Sequence, residues 1–181
     1  MKIHSILDAF KEEYTSSSGT LAMSEDSGTA TFNRCVLKNC GKSVLIKADH
    51  GELNWLKIVK DADFIKKKCD YVLLLKEETG SVFSLFFEMK GKNISDALRQ
   101  IENTFEYFSF LSRLLRNNDH CKERILFMGV ILANASKTKL TTKSANYKPK
   151  LIKSSTLKIY LLPQHSQLNI RKFLESCQKI E

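Results

Sequence analysis

Cys69-Asp70-Tyr71-Val72-Leu73-Leu74-Leu75-Lys76-Glu77-Glu78-Thr79-Gly80-Ser81-Val82-Phe83-Ser84-Leu85-Phe86-Phe87-Glu88-Met89-Lys90 is the stretch on which the fold turns. Residues 69–75 are strongly apolar and strand-like. Residues 76–80 are polar and end in glycine, as a turn does, and residues 81–90 form the return strand. Folding the chain back near Thr79 brings Asp70 opposite Glu88. Side chains on a strand alternate between faces, so Glu88 and Lys90 are expected to point the same way. Two carboxylates and an ammonium then converge at one end of a hydrophobic sheet. Close carboxylates repel each other, and a divalent cation is the usual way to neutralise them. The charges also end a strand carrying Val82, Phe83, Leu85, Phe86 and Phe87, where charge needs a reason.

Working outward, Ser95 reads as an N-cap and Asp96 sits near the positive end of a helix running to about Arg116. Ala97, Leu98, Ile101, Phe105, Phe108, Leu111 and Leu115 recur at three- and four-residue steps and form its core stripe. Asp96, Gln100, Asn103, Thr104 and Tyr107 form its polar side. Residues 124–133 lack polar alternation, as an interior parallel strand does. Upstream, residues 3–14 carry apolar positions at helical spacing, and 15–29 read as a loop. Residues 30–37 and 44–48 read as a hairpin around Asn39-Cys40-Gly41, and 53–65 as a helix or a bent helix. Downstream, 134–150 is a polar loop, 157–162 a strand ended by Pro163, and 170–180 a terminal helix. The order predicts a single α/β domain over residues 1–181, with its core at about 30–165: a central mixed β-sheet flanked by helices.

The 181 residues suffice for one domain with a real core, and 43% apolar content argues against disorder. No apolar run is long enough to cross a bilayer, and the N-terminus lacks a signal-peptide core, so a cytoplasmic protein with no membrane partner is expected. Twenty-nine Lys and Arg against 20 Asp and Glu give a formal charge of +9, which favours a polyanionic partner such as nucleic acid. Five cysteines without a C-x-x-C pair indicate neither a disulfide framework nor a zinc ribbon.

If Asp70 and Glu88 meet, hard oxygen ligands select Mg²⁺, with Mn²⁺ able to substitute. Lys90 would then orient an attacking water or offset charge growing on a phosphate. Asp70, the pair Glu88-x-Lys90 ending the next strand, and the helix carrying Gln100 resemble the PD-(D/E)XK, or restriction-endonuclease-like, nuclease superfamily over about residues 53–133. Cys69 stands where the family name has proline. The resemblance implies metal ligation by Asp70, Glu88 and the backbone carbonyl of Met89, with Lys90 assisting the water. It assigns Gln100 as the glutamine of the helix after the core hairpin. It also implies a helix glutamate, for which Glu13 ranks above Glu52, with Glu12 beside it. The products would carry a 5′-phosphate and a 3′-hydroxyl.

Basic side chains must offset the repulsion between active-site carboxylates and a polyanion. Lys66, Lys67, Lys68 and Lys92, with the loop lysines Lys137, Lys139, Lys143, Lys148 and Lys150, are the candidates for phosphate contacts. The expectation is a metal-dependent endonuclease acting on nucleic acid, DNA before RNA, of restriction, phage-defence or repair type. It would work as a homodimer or as a subunit of a larger complex. Two alternatives stand beside it: a catalytically silent nuclease-fold subunit that binds nucleic acid or scaffolds a complex, and an α/β protein whose motif is accidental.

Overall fold

A computed structural model describes residues 6–9, 15–16, 19–24, 34–49, 67–90, 94–118, 122–133, 149–154, 157–163 and 166–179. Its centre is the hairpin of the two apolar strands. Strand β5 (Tyr71–Lys76) and strand β6 (Val82–Lys90) pair antiparallel, with Tyr71 opposite Phe87 and Lys76 opposite Val82, a register centred on Thr79. Gly80 supplies the left-handed backbone of the turn, at φ 86°. Residues 71–75 are all buried, because β5 lies inside the sheet and is covered on both faces. That is why its sequence runs apolar without alternation.

Five further strands complete a seven-stranded mixed sheet: β1 (Thr15–Ser16), β4 (Lys42–Lys47), β7 (Ile125–Ala133), β8 (Lys150–Ser154) and β9 (Lys158–Pro163), in the order β1-β4-β5-β6-β7-β9-β8. Strands β4, β5 and β6 are mutually antiparallel, whereas β6, β7 and β9 run parallel. Between β6 and β7 the chain crosses over through helix α1 (Ile94–Asn117). A smaller sheet, β10-β3-β2, is made of β2 (Thr20–Ser24), β3 (Arg34–Lys38) and β10 (Gln167–Asn169). Helix α2 (Ile170–Gln178) follows β10 directly, and its N-cap Asn169 side chain accepts the Lys172 N–H.

The large sheet therefore carries a core on each face. On one side Ile46, Val72, Leu74, Phe86 and Ile131 pack with Ala97, Ile101, Phe108 and Leu115 of α1 and with Ile6 and Leu7 of a short 3₁₀ turn, Ile6–Ala9. On the other, Leu73, Leu85, Phe87, Val130 and Tyr160 pack with Met23 and Leu37 of the small sheet and Phe173 and Cys177 of α2. This layer draws on residues outside 30–165. Gly129 lets α1 approach the sheet: a Cβ there would stand 2.8 Å from Ile101 Cγ2.

Several elements differ from expectation. Strands β3 and β4 do not pair as a hairpin. Asn39 and Gly41 both adopt positive φ (58° and 57°), and the chain passes from one sheet to the other there, with Cys40 buried between. Residues 15–16 and 20–24, expected as loop, are strands; β8 and β10 are additions as well. Helix α1 begins at Ile94, which places Ser95 inside its first turn. Thr104 lies on its buried face instead of its polar side. The segment 53–65 lies outside the described residues, as do residues 3–5 and 10–14 of the first expected helix.

Candidate active site

Asp70 immediately precedes β5, and Glu88 stands two residues from the end of β6. One step beyond the Tyr71–Phe87 pair, the hairpin register sets them across from each other. Two crossed hydrogen bonds hold them. The Asp70 backbone N–H donates to Glu88 Oε2 at 3.1 Å, and the Met89 backbone N–H donates to Asp70 Oδ2 at 2.6 Å. Each carboxylate thus grips the other's strand. The Asp70 carbonyl accepts the Ala48 N–H at 2.9 Å, tying the end of β4 to the same point. Glu88 is fully buried and Asp70 half-buried. Buried carboxylates are costly unless donors or a cation face them, and two neighbouring ones add mutual repulsion.

Helix α1 fixes the approach to Asp70. Gln100 Nε2 donates to the Lys68 carbonyl at 3.0 Å, and Asn103 Nδ2 donates to the Lys67 carbonyl at 3.0 Å. Thr104 Oγ1 accepts the Cys69 N–H at 2.9 Å and donates to the Gln100 carbonyl at 2.8 Å. Three successive residues of an irregular segment are therefore pinned to successive turns of one helix. Sequence reasoning assigned Thr104 to the solvated side; its polarity hid a buried, bond-satisfying position.

Cys69, fully buried and next to Asp70 in the chain, donates its thiol to the Tyr71 carbonyl at 3.3 Å. Burial pushes the thiol well up, partly offset by the Thr104 hydrogen bond, and the charges of Glu88, Asp70 and Asp49 push it further. Asp49 was not singled out in the sequence. It follows β4, whose pairing partner lies more than twenty residues away in the chain, so its proximity could not be read locally. Lys68 is half-buried, with its ammonium 5.8 Å from the centre of the Tyr107 ring. Burial lowers the Lys68 pKa, and the Asp49 charge raises it in part. Lys67 is exposed and lies 3.8 Å from Asp96.

Lys90 ends β6 in register with Ala133 of β7; its side chain lies outside the described residues. Glu12, Glu13, Glu52, Lys66, Lys92, Lys137, Lys139, Lys143 and Lys148 also lie outside them. The Met89 side chain packs in the core on the far face of the sheet from α1. Among the described residues, no group of three or more His, Cys, Asp and Glu side chains is arranged to hold a metal ion. Asp70 and Glu88 thus form a pair of neighbouring carboxylates, each accepting a backbone N–H of the other's strand. An open cleft of about 600 Å³ lies at the opposite end of β5, lined by Lys42, Lys76, Glu78, Arg171 and Glu175 among others, and contains charges of both signs. Among the described residues, no helix is long and apolar enough to cross a membrane. Compared with known proteins, the chain matches no family model, no curated protein and no solved structure.

Proposed function

We propose that this chain is a metal-dependent endonuclease on a restriction-endonuclease-like core, hydrolysing phosphodiester bonds with DNA as the favoured substrate. The observation that carries the reading is the crossed pair: Asp70 Oδ2 on the Met89 N–H and Glu88 Oε2 on the Asp70 N–H. A neutral polar side chain would satisfy those backbone groups more cheaply than a fully buried acid beside a half-buried one. Two acids held together at the end of a strand suit a cation instead.

The donor set fits Mg²⁺ or Mn²⁺, because it offers hard carboxylate oxygens. Asp70, Glu88 and the Met89 carbonyl are the groups that would hold such an ion. When bound, it supplies positive charge against the acids and polarises a phosphodiester oxygen. Lys90 is assigned to orient the attacking water and to offset charge gathering on the phosphate. Gln100 acts as a positioning residue, since its amide holds the Lys68 carbonyl and with it the lead into Asp70. Glu13 is the candidate for an additional carboxylate. Lys66, Lys67, Lys68, Lys92 and the lysines of 137–150 would meet the phosphate backbone without reading sequence. The topology supports the same reading, with an antiparallel β4-β5-β6 unit followed by a helical crossover to parallel β7.

One observation favours a second reading. Both carboxylates already satisfy backbone N–H groups, so they also serve as a staple between strands. A silent nuclease-fold subunit that binds nucleic acid would keep them for that purpose. Cleavage of plasmid, single-stranded DNA and RNA in Mg²⁺ and Mn²⁺, with Glu88→Gln and Lys90→Ala beside the wild type, separates the two. Cutting by the wild type, lowered at least about 100-fold in both folded variants, supports the nuclease. Binding at low salt without cutting supports the silent subunit, and neither binding nor cutting removes both.

A further inference from the structure

The outward face of α1 carries the two large hydrophobic side chains most exposed among the described residues, Phe110 at 57% and Leu114 at 43%. They lie four residues apart, hence on one face, and nearly opposite the buried stripe of Ala97, Ile101, Phe108 and Leu115. Half-buried Tyr107 flanks them on one side. Exposed Glu106 and Arg113 flank Phe110 on the other, Glu106 toward the start of the helix and Arg113 toward its end. Arg113 touches the Ser109 carbonyl through Nε at 3.4 Å, which leaves its two terminal nitrogens for a partner.

We infer that this face is the docking surface for a second copy of the chain, with two α1 helices packed antiparallel about a two-fold axis at Phe110. The argument is self-complementarity, which an isologous interface requires. In such a pair, residues at similar distances from Phe110, one before it and one after, meet across the axis when they lie on the same flank. Phe110 meets its own copy. Glu106, four residues before, meets the partner's Arg113, three residues after. Tyr107, three residues before, meets the partner's Leu114, four residues after. The charged contacts fall on one flank and the apolar contacts on the other, and each occurs twice. A parallel arrangement would instead set Glu106 against the partner's Tyr107 and Arg113 against the partner's Leu114, leaving each charge facing an apolar side chain with no opposite charge to pair it. One helix pair buries less area than a permanent dimer needs, so association is expected in the range of about 10–100 μM. This surface does not depend on the reading of Asp70 and Glu88.

Sedimentation equilibrium of the full chain from about 1 to 300 μM tests the inference. The wild type should pass from monomer to dimer across that range. Phe110→Asp should remain monomeric. Glu106→Arg should weaken the dimer about tenfold, since two like-charged contacts replace two attractive ones, and adding Arg113→Glu to it should restore the wild-type affinity. All three positions are solvent-exposed, and circular dichroism checks that each variant folds; should Phe110→Asp fail to fold, the charge-swap pair alone decides. A wild type monomeric throughout, with the face left bare or covered by another part of the chain, overturns the inference. So does a dimer indifferent to Phe110→Asp, or a double charge swap no tighter than the single one.

Discussion

Thr104→Val probes the link between α1 and the carboxylate pair. The substitution keeps side-chain shape and removes one hydroxyl. Thr104 is 1% exposed, and its oxygen accepts the Cys69 N–H at 2.9 Å; Cys69 is fully buried. Valine leaves that N–H without a partner where water cannot reach it. Such a loss costs about 1–3 kcal/mol, and the added methyl returns a few tenths. The Gln100 carbonyl loses a second donor, but the helix ladder still serves it. The net expectation is a loss of about 2 kcal/mol, read as a drop in Tm of roughly 4–8 °C for a chain of this size. Urea titration at fixed pH gives the free energy directly, with an unchanged m-value showing that the native state has not loosened. Because the Cys69 N–H precedes Asp70 by one residue, catalysis should fall by more than the unfolded fraction explains. Thr104→Ser keeps the hydroxyl and should recover most of both. A Thr104→Val protein with wild-type midpoint and wild-type cleavage would refute the claim that α1 positions Asp70.

Three further outcomes follow from the same geometry. Saturating Mg²⁺ should raise the wild-type Tm, by about 1.4 kcal/mol of stabilisation at ten times Kd, and Asp70→Asn or Glu88→Gln should abolish that shift in thermal melts. Burial raises the Cys35 thiol to about 12 and the Cys40 thiol to about 11, from 9.0 when unfolded. The unfolded chain therefore releases protons first as pH rises: stability should hold below pH 9 and fall between pH 9 and about 12, by up to ~1.4 kcal/mol per pH unit per thiol, as read from urea midpoints. Gly129→Val should cost about 1–3 kcal/mol, since even a Cβ would stand 2.8 Å from Ile101 Cγ2 and 3.0 Å from Ile159 Cγ1; a Tm within 1 °C or so of wild type would show that α1 can shift outward freely.

How far the sequence reads depends on how local the determining contacts are. The β5–β6 hairpin is local: turn residues and two apolar runs placed its centre at Thr79, where the pairing centres. The stripe on α1 is local too, and Ala97, Ile101, Phe108 and Leu115 are buried as their spacing requires. Thr104 falls on that stripe by spacing but was read by polarity, and the partner that reverses the reading, the Cys69 N–H, lies 35 residues away. The split of β3 from β4 follows the same rule. Their intervening turn resembles that of a hairpin, yet β4 finds β5 and β3 finds β2 and β10. Strand propensity says where a strand forms and leaves its neighbour to tertiary packing. The short strands β2 and β10 had no pattern strong enough to announce them; they form where Met23, Leu37 and Leu168 can cover the second face of the large sheet.

That dependence on register makes the carboxylate centre a consequence of the fold and not an ornament on it. Side chains on paired strands share a face only when the pairing is in step. With Tyr71 opposite Phe87, Asp70 and Glu88 both belong to the α1 side, together with Val72, Leu74 and Phe86. A slip of one residue would set Asp70 against Phe87 or Met89 and send one acid toward the core that holds Leu73, Leu85 and Tyr160. The pattern of β6 works against that slip, since Phe83, Leu85, Phe87 and Met89 would trade places with a face that carries Ser84 and Glu88 beside Val82 and Phe86. The hydrophobic pattern that drives folding thus also sets the acids side by side, where Gln100, Asn103 and Thr104 of α1 hold the irregular segment 67–69 that leads into Asp70. A chain selected only for burial would place an apolar residue at position 88, because an acid there weakens the same core that aligns it. Glu88 is held there, fully buried, by the Asp70 N–H that its Oε2 accepts, so the fold carries the acid on a strand-to-strand hydrogen bond that only the in-step register provides.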